Sequence, residues 1–564
     1  MGFGSGIPTF PASLPSVCSV DSVVKLASQK PMPLSRRRTF RNPILPGFYP
    51  DPSLCRVGRD FYLVTSSFEY FPGVPIFHSR DLVHWKQLGH VLSRRSQLDL
   101  TGVRSSGGIY APTLRHHRGR FYLVTTHVGG GGNFLVTARR PEGPWSDPVW
   151  IDEGGFDPSL FFDGGRVYYG RDGTGADFDH PVIEQAELDA KTGRLRGPKR
   201  VIWRGAGGVW PEGEHLYALH GRTYLLAAEG GTAYEHREVA ARADSPWGPF
   251  EPCPHNPILS HRHRRGHPIQ ATGHADLVTL EDGSAWAVFL GIRPRSGRHH
   301  HLGRETFLAP VHFSDDGWPI IGERGQVELD MPAPELPSHV FAAASARDDF
   351  DGAVLDPVWV HVRNPPEGAI TLKEKAGHLR LWGQSASLDD VGPVAFVARR
   401  QQHFAMCCKT RLDFLPQQPG EEAGLSVRAR EDFHVDLAVR LGRAGREVVA
   451  VRRTGGASRV LGRAPIPPGP VELCIRAEND RYQLLAGKGR AAVLLGQVPA
   501  RALSAESITR RGPMHFCGVV LGMYATGRGR PCRAPADFDW FEYRPSLRAP
   551  ALPEHRARQN QHED

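Results

Sequence analysis

Five short runs of aromatic and β-branched residues recur through the first 330 residues of this chain, and they restrict its fold more than any other feature. They are Phe61-Tyr62-Leu63-Val64-Thr65, Phe121-Tyr122-Leu123-Val124-Thr125, Val167-Tyr168-Tyr169, Thr223-Tyr224-Leu225-Leu226 and Trp286-Ala287-Val288-Phe289-Leu290. Their starts lie 60, 46, 56 and 63 residues apart. Residues of these types suit pleated, half-buried surfaces. A turn signal follows each run, usually with a tryptophan, and Trp85, Trp145 and Trp247 each fall 24 residues after the start of theirs. A period of about 40–60 residues with several strands per unit is the signature of a β-propeller. A sandwich would not repeat so evenly, and a βαβ fold would need helical periods between the strands. The expectation is an all-β protein whose residues 41–330 form a five-bladed propeller.

A length of 564 residues leaves room for a second domain. The segment Met331-Pro332-Ala333-Pro334-Glu335-Leu336-Pro337 breaks the repeat and opens a Pro-rich linker, 331–345. Alternating runs follow, such as His378-Leu379-Arg380-Leu381-Trp382 and Val435-Asp436-Leu437-Ala438-Val439, and predict a β-sandwich over 346–545. Residues 1–40 read as a Pro/Ser-containing extension without a signal-peptide core, and 546–564 as a polar tail.

No run of 18 apolar residues occurs, which excludes a membrane-spanning helix. The net charge is 69 − 60 = +9, but the basic residues are scattered and no nucleic-acid motif accompanies them. They read as a solvated surface, with nucleic acid excluded as a partner. The eight cysteines, Cys18, Cys55, Cys253, Cys407, Cys408, Cys474, Cys517 and Cys532, include no CxxC, and Cys407 and Cys408 are adjacent. Free thiols in a reducing, cytoplasmic setting are expected.

Counting back from each run gives a register. Asp51 lies 10 residues before Phe61 and Asp157 lies 10 before Val167. Tyr110 and Glu212 each lie 11 before their runs, and His274 lies 12 before Trp286. Equivalent positions of blades point the same way, so these five side chains are expected to converge on the propeller axis. Three carboxylates and a histidine in one pocket are costly to hold without a purpose. A single Asp-Pro-Ser reads as a turn in which the carboxylate caps its own backbone. Two of them, Asp51-Pro52-Ser53-Leu54 and Asp157-Pro158-Ser159-Leu160, in matching register and joined by Glu212, read as function.

Glycoside hydrolysis by inversion needs such a set, with a carboxylate to activate water and a carboxylic acid to protonate the leaving oxygen. A third carboxylate can raise the acid's pKa by like-charge repulsion. The carboxylate separation that fixes the stereochemistry is not written in the sequence.

Longer motifs carry a resemblance. Phe48-Tyr49-Pro50-Asp51-Pro52-Ser53, the stretch from Thr65-Ser66-Ser67-Phe68 to Val74-Pro75-Ile76, and His78-Ser79-Arg80-Asp81-Leu82 resemble glycoside hydrolase family 43, its β-xylosidase branch in particular. So do Tyr110-Ala111-Pro112-Thr113, Ile269-Gln270-Ala271-Thr272-Gly273-His274-Ala275-Asp276 and Leu302-Gly303-Arg304-Glu305-Thr306-Phe307. Arg399-Arg400-Gln401-Gln402-His403-Phe404 and Pro535-Ala536-Asp537-Phe538-Asp539-Trp540-Phe541 resemble that branch's C-terminal, concanavalin-like sandwich.

The resemblance implies Asp51 as general base, Asp157 as modulator of the acid's pKa, and Glu212 as general acid. The implied reaction is an inverting release of xylose from the non-reducing end of β-1,4-xylo-oligosaccharides. Arg304 matches a substrate-contacting arginine, and Phe68 and Tyr110 would wall the sugar subsite, although core packing explains a single aromatic equally well. The family often has Trp where Tyr110 stands. Phe516 resembles a sandwich phenylalanine that closes the pocket over chain ends. His274 matches a histidine that in some members helps hold a hydrated divalent cation, usually calcium. A lone His is more often a structural hydrogen-bonding group, and calcium prefers oxygen, so water would complete the shell; the hydrolytic chemistry itself requires no cofactor. Relatives are often dimers or tetramers, so a homo-oligomer belongs to what the resemblance implies.

One position departs from the family pattern. Glu214 stands where the family has proline, and in an uninterrupted strand it would share the face of Glu212, where it either raises that acid's pKa or weakens the site. His299-His300-His301 carries no assigned chemistry. The competing readings are an α-L-arabinofuranosidase or a bifunctional xylosidase/arabinofuranosidase, since the two sugars present similar hydroxyl patterns, and a non-catalytic glycan-binding protein.

Overall fold

The computed structural model describes residues 38–173, 181–478 and 480–546. Most of the expected N-terminal extension, Cys18 and nearly all of the expected tail lie outside these residues. Five antiparallel sheets follow one another in chain order, each with strands that are successive in the chain lying side by side. Blade one comprises Ser53–Val57, Asp60–Val64, Gly73–Ser79 and Lys86–Leu92. The first strands of the other blades are Thr113–His117, Ser159–Asp163, Glu212–Leu219 and Gln270–Thr279. These five first strands pack side by side in a closed ring, the last against the first. The predicted runs are the second strands, whose alternation puts residues such as Leu63, Leu123, Tyr169, Leu225 and Val288 in the layers between blades.

Thr39–Arg41 pairs antiparallel with Asp330–Pro332. Thr39 and Phe40, expected in the extension, therefore bind Met331 and Pro332, expected in the linker. Phe40 and Met331 bury into the propeller core, an apolar gain that the Pro-rich local sequence conceals.

Beyond it, two sheets face one another. One contains Met406–Asp413, Val471–Glu478 and Ala536–Pro545, and the other Glu422–Arg430, Phe433–Gly442 and Val520–Thr526. Their inward residues form one apolar core. Propeller and sandwich fall in a single compact unit. His361–Val362 pairs with Tyr70–Phe71, and Phe48, Phe68 and Tyr70 pack among Val362, Phe396, Val520 and Tyr524. The triple histidine belongs to this seam. His299 Nδ1 lies 2.8 Å from Ser504 Oγ, His300 Nδ1 lies 2.7 Å from Glu506 Oε1, and the His301 carbonyl accepts the Val519 N–H at 2.9 Å. Cys55, Cys253, Cys407, Cys408, Cys474, Cys517 and Cys532 are free thiols.

Candidate active site

Asp51 and Asp157 each stand two residues before the first strand of their blade, with a proline between, and both adopt left-handed backbone, φ 53° and 51°. Aspartate tolerates that region better than most residues. The shared conformation brings both carboxyls within electrostatic reach of one another and of Glu212. Glu212 itself enters differently. It is the first residue of its strand, where blades one and three have Ser53 and Ser159, so the count of residues back from each run aligns it two positions away from its backbone equivalent.

Asp51 is 4 % exposed. Arg304 Nη1 donates to its Oδ1 at 2.8 Å, Arg304 Nη2 lies 3.4 Å from Oδ2, and Ser66 Oγ donates to Oδ2 at 2.5 Å. Such a charge-assisted fork fixes the plane of the carboxylate. Asp157 and Glu212 have the opposite environment. Burial raises the Asp157 pKa well above the usual carboxylate range, and the charges of Glu212 and Asp51 add to it against the Ala111 N–H. Burial also raises Glu212, helped by Asp172 and Asp51 and opposed by Arg304. Both environments favour the protonated carboxyl over the ionised one.

Asp172 went unnoticed in the sequence. It is the last but one residue of the second strand of blade three, Arg166–Gly173, three residues beyond the run that marked that blade. Its carboxylate accepts the Phe156 N–H, and its own N–H donates to the Phe156 carbonyl at 3.2 Å, which pins the residue preceding Asp157. Burial, reinforced by the Asp157 charge and opposed by the Phe156 N–H, pushes Asp172 up to about 8.

Glu214 does not act as the strand pattern suggests. A bulge between Glu212 and His215 breaks the alternation. The Glu214 carboxyl turns against Gly170 of blade three, and neither of its oxygens has a hydrogen-bond partner. Its charged neighbours are Asp172, Asp157 and Arg171, while those of Glu212 are Asp172, Asp51 and Arg304.

The expected wall of rings assembles from both domains. Phe68 lies 5.1 Å from Tyr110 and 5.7 Å from Phe516 between ring centroids, and Tyr110 lies 6.0 Å from Phe516. The Tyr110 hydroxyl donates to the Ser106 carbonyl at 3.0 Å, and the Phe516 N–H donates to Ser106 Oγ at 3.1 Å, so one serine positions both rings. The Arg304 guanidinium sits 5.7 Å from the centroids of Phe68 and Phe516, and its Nε has no protein partner.

His274 is buried, with φ 54°. Burial lowers its pKa against the pull of the Asp51 charge, so it is a neutral imidazole at pH 7. A Cβ at Gly213, φ +61°, would fall 2.5 Å from its Cε1, so the residue after Glu212 must be glycine. Among the described residues no group of three His, Cys, Asp or Glu side chains is placed to hold a metal. A hydrated cation here would rest on the His274 imidazole and water.

Two residues on from His274, Asp276 ties the blades together. It accepts Ser53 Oγ at 2.6 Å, the Leu54 N–H at 3.0 Å, Arg115 Nη1 at 2.7 Å and the Tyr217 hydroxyl at 2.6 Å, joining blades one, two and four to blade five. Burial works to raise its pKa, but the Arg115 guanidinium and these donors outweigh it and bring the carboxyl to about 2. The site thus offers one carboxylate fixed by Arg304 and Ser66, two carboxyls with raised pKa within electrostatic reach of it, and a cluster of three rings. That combination suits general acid–base cleavage of a bond in a sugar-sized ligand.

Comparison with known proteins agrees with this chemistry. Residues 40–319 match the model for glycosyl hydrolases family 43, and 347–544 match that for the β-xylosidase C-terminal concanavalin A-like domain. The chain is 46 % identical over 514 residues to the non-reducing end α-L-arabinofuranosidase BoGH43B of Bacteroides ovatus, covering 90 % of this chain and 95 % of that one. It is 33 % identical to a β-xylosidase of Bacillus subtilis, covering 89 % and 99 %. The crystal structure of a xylan β-1,4-xylosidase from Bacillus halodurans superposes with a TM-score of 0.84 at 37 % identity, covering 90 % and 100 %.

Proposed function

The chain belongs to glycosyl hydrolase family 43 and is a glycoside hydrolase, and from that we propose that it is an exo-acting enzyme releasing xylose from the non-reducing end of β-1,4-xylo-oligosaccharides with inversion. Asp51 is the general base that takes a proton from the attacking water. Glu212 is the general acid that gives its proton to the leaving oxygen. Asp157 keeps that acid protonated and in place. The observation that carries this reading is the contrast between carboxyls. Arg304 and Ser66 clamp Asp51 at 2.8 and 2.5 Å, while the other two carboxyls are raised above the ordinary carboxylate range, Asp157 by burial with the charges of Glu212 and Asp51, and Glu212 by desolvation with those of Asp172 and Asp51. Phe68, Tyr110 and Phe516 form the wall for the apolar sugar face. The sandwich-borne Phe516 supports a closed pocket that accepts chain ends.

A second reading is release of α-L-arabinofuranosyl groups by the same carboxylates, which the name of the Bacteroides ovatus relative favours. Xylobiose hydrolysis by wild type and Asp51→Ala, with the released anomer followed by NMR, tests the proposal. Initial α-xylose that disappears in the variant is the expected result, and initial β-xylose overturns inversion. Nitrophenyl β-xyloside and α-L-arabinofuranoside assayed side by side decide between the two sugars. Glycan affinity without turnover of either would leave a binding protein.

A further inference from the structure

The backbone position held by Asp51 and Asp157 in blades one and three is held in blade four by Trp210. All three precede a proline, all stand two residues before the first strand of their blade, and all are left-handed, with φ of 53°, 51° and 52°. Aspartate visits that region readily, whereas a bulky aromatic there is strained. The two aspartates are buried, but Trp210 is 54 % exposed and the preceding Val209 is 57 % exposed. A strained indole standing in water contributes little to the fold.

The loop that carries it is nevertheless built firmly. The buried Glu229 carboxylate accepts the N–H groups of Ala206 and Gly208, the latter at 3.1 Å, and the Gly230 N–H donates to the Val209 carbonyl at 2.8 Å. A Cβ at Gly231 would come 3.0 Å from the indole Cε3, so glycine lets the ring lie close on the backbone. The Gly231 carbonyl is held by His236 Nδ1 at 2.7 Å, and His236 in turn lies against Gly273, beside His274.

The neighbouring Thr232 hydroxyl donates to Met514 Sδ at 3.0 Å, and Met514 is 46 % exposed. Trp210 is two residues from Glu212, and Met514 is two residues from Phe516. Two exposed apolar side chains thus stand on the segments that lead to Glu212 and to Phe516, linked through Gly231 and Thr232. Met514 also lines a largely charged cavity of about 260 Å³ with Arg104, Arg430, Glu431, Arg511 and Ser106, the serine that positions Tyr110 and Phe516.

We propose that Trp210 is the platform for the leaving group, the sugar ring on the reducing-end side of the scissile bond. This rests on Glu212 being the general acid. The acid must reach the leaving oxygen, so the ring attached to that oxygen passes beside the residues that precede Glu212. A flat indole face matches the C–H face of a pyranose, and a ring already fixed on a pinned loop loses little freedom on binding.

The test compares kcat/KM for xylotriose with kcat/KM for methyl β-xyloside, whose leaving group has no ring. If the wild type turns over only arabinosides, arabinofuranosyl-xylotriose and methyl α-L-arabinofuranoside replace them. Trp210→Gly removes the ring and suits the left-handed backbone, so its Tm should not fall. Its ratio of oligosaccharide to methyl glycoside should drop about ten-fold or more, while Trp210→Phe keeps the ratio within about three-fold. General damage would lower both substrates alike, and an unchanged ratio in Trp210→Gly overturns the platform. Glu212→Gln in the same assay separates the two readings. If it abolishes turnover while the Trp210→Gly ratio is unchanged, the acid stands and the platform falls; if it retains turnover, both fall.

Discussion

Arg304 Nη1 donates to Asp51 Oδ1 at 2.8 Å, joining two buried side chains 253 positions apart in the chain. The guanidinium holds the carboxylate of blade one from the edge of blade five. Asp51→Asn keeps the shape but removes the proposed base, and kcat should fall about 10³-fold or more. Arg304→Lys loses the fork, and kcat/KM should fall about 10- to 100-fold. The double variant should be little worse than Asp51→Asn alone, because both changes remove one unit. Steady-state kinetics on an aryl glycoside checks all three.

With Glu212 as the proposed acid, it must hold its proton, so activity should be present below the pKa of Glu212 and be lost as pH rises through it. Burial and the charges of Asp172 and Asp51 place that pKa well above the ordinary carboxylate range. Asp172→Asn removes one of those charges while its amide oxygen still accepts the Phe156 N–H. The basic limb of kcat/KM should then move to lower pH by about one pH unit. An unmoved limb would mean that Asp172 serves only to hold the backbone of Phe156.

Glu214 is buried with both oxygens unpaired, and burial raises its pKa well above that of an unfolded chain. Between those two values the folded protein binds more protons than the unfolded one, so stability falls as pH rises above about 4.5. The slope from this group is up to about 1.4 kcal/mol per pH unit. Glu214→Gln lacks the titration. Its Tm relative to wild type should climb between pH 5 and pH 7, whatever the offset at pH 5. Scanning calorimetry at several pH values reads it.

Phe516 reaches the site from the sandwich, 5.7 Å from Phe68 and 6.0 Å from Tyr110. Phe516→Ala should raise KM about ten-fold with a smaller change in kcat, because the ring contributes binding area and no proton transfer. A kcat loss equal to the kcat/KM loss would instead assign it to the transition state.

Much of this protein is written locally in its sequence. The blade count came from runs of pleat-forming residues, and a shared register with a repeated Asp-Pro-Ser marked Asp51 and Asp157. The family motifs singled out Glu212, Arg304 and Phe516. Such signals are legible because strand alternation, turn preference and short motifs depend on neighbours in the chain.

Packing decided the rest. Glu214 left the face of Glu212 because a bulge inserts a residue into the alternation, and a bulge depends on the partner strand. Asp172 gained its role by lying across a loop from Phe156, and Met331 became core because it pairs with Phe40. Asp276, one residue in a quoted motif, became the tie between blades only when Ser53, Arg115 and Tyr217 closed around it. The periods that identify strands are properties of consecutive residues. The direction of a side chain after a bulge and the charge it meets are set by chain segments hundreds of positions away.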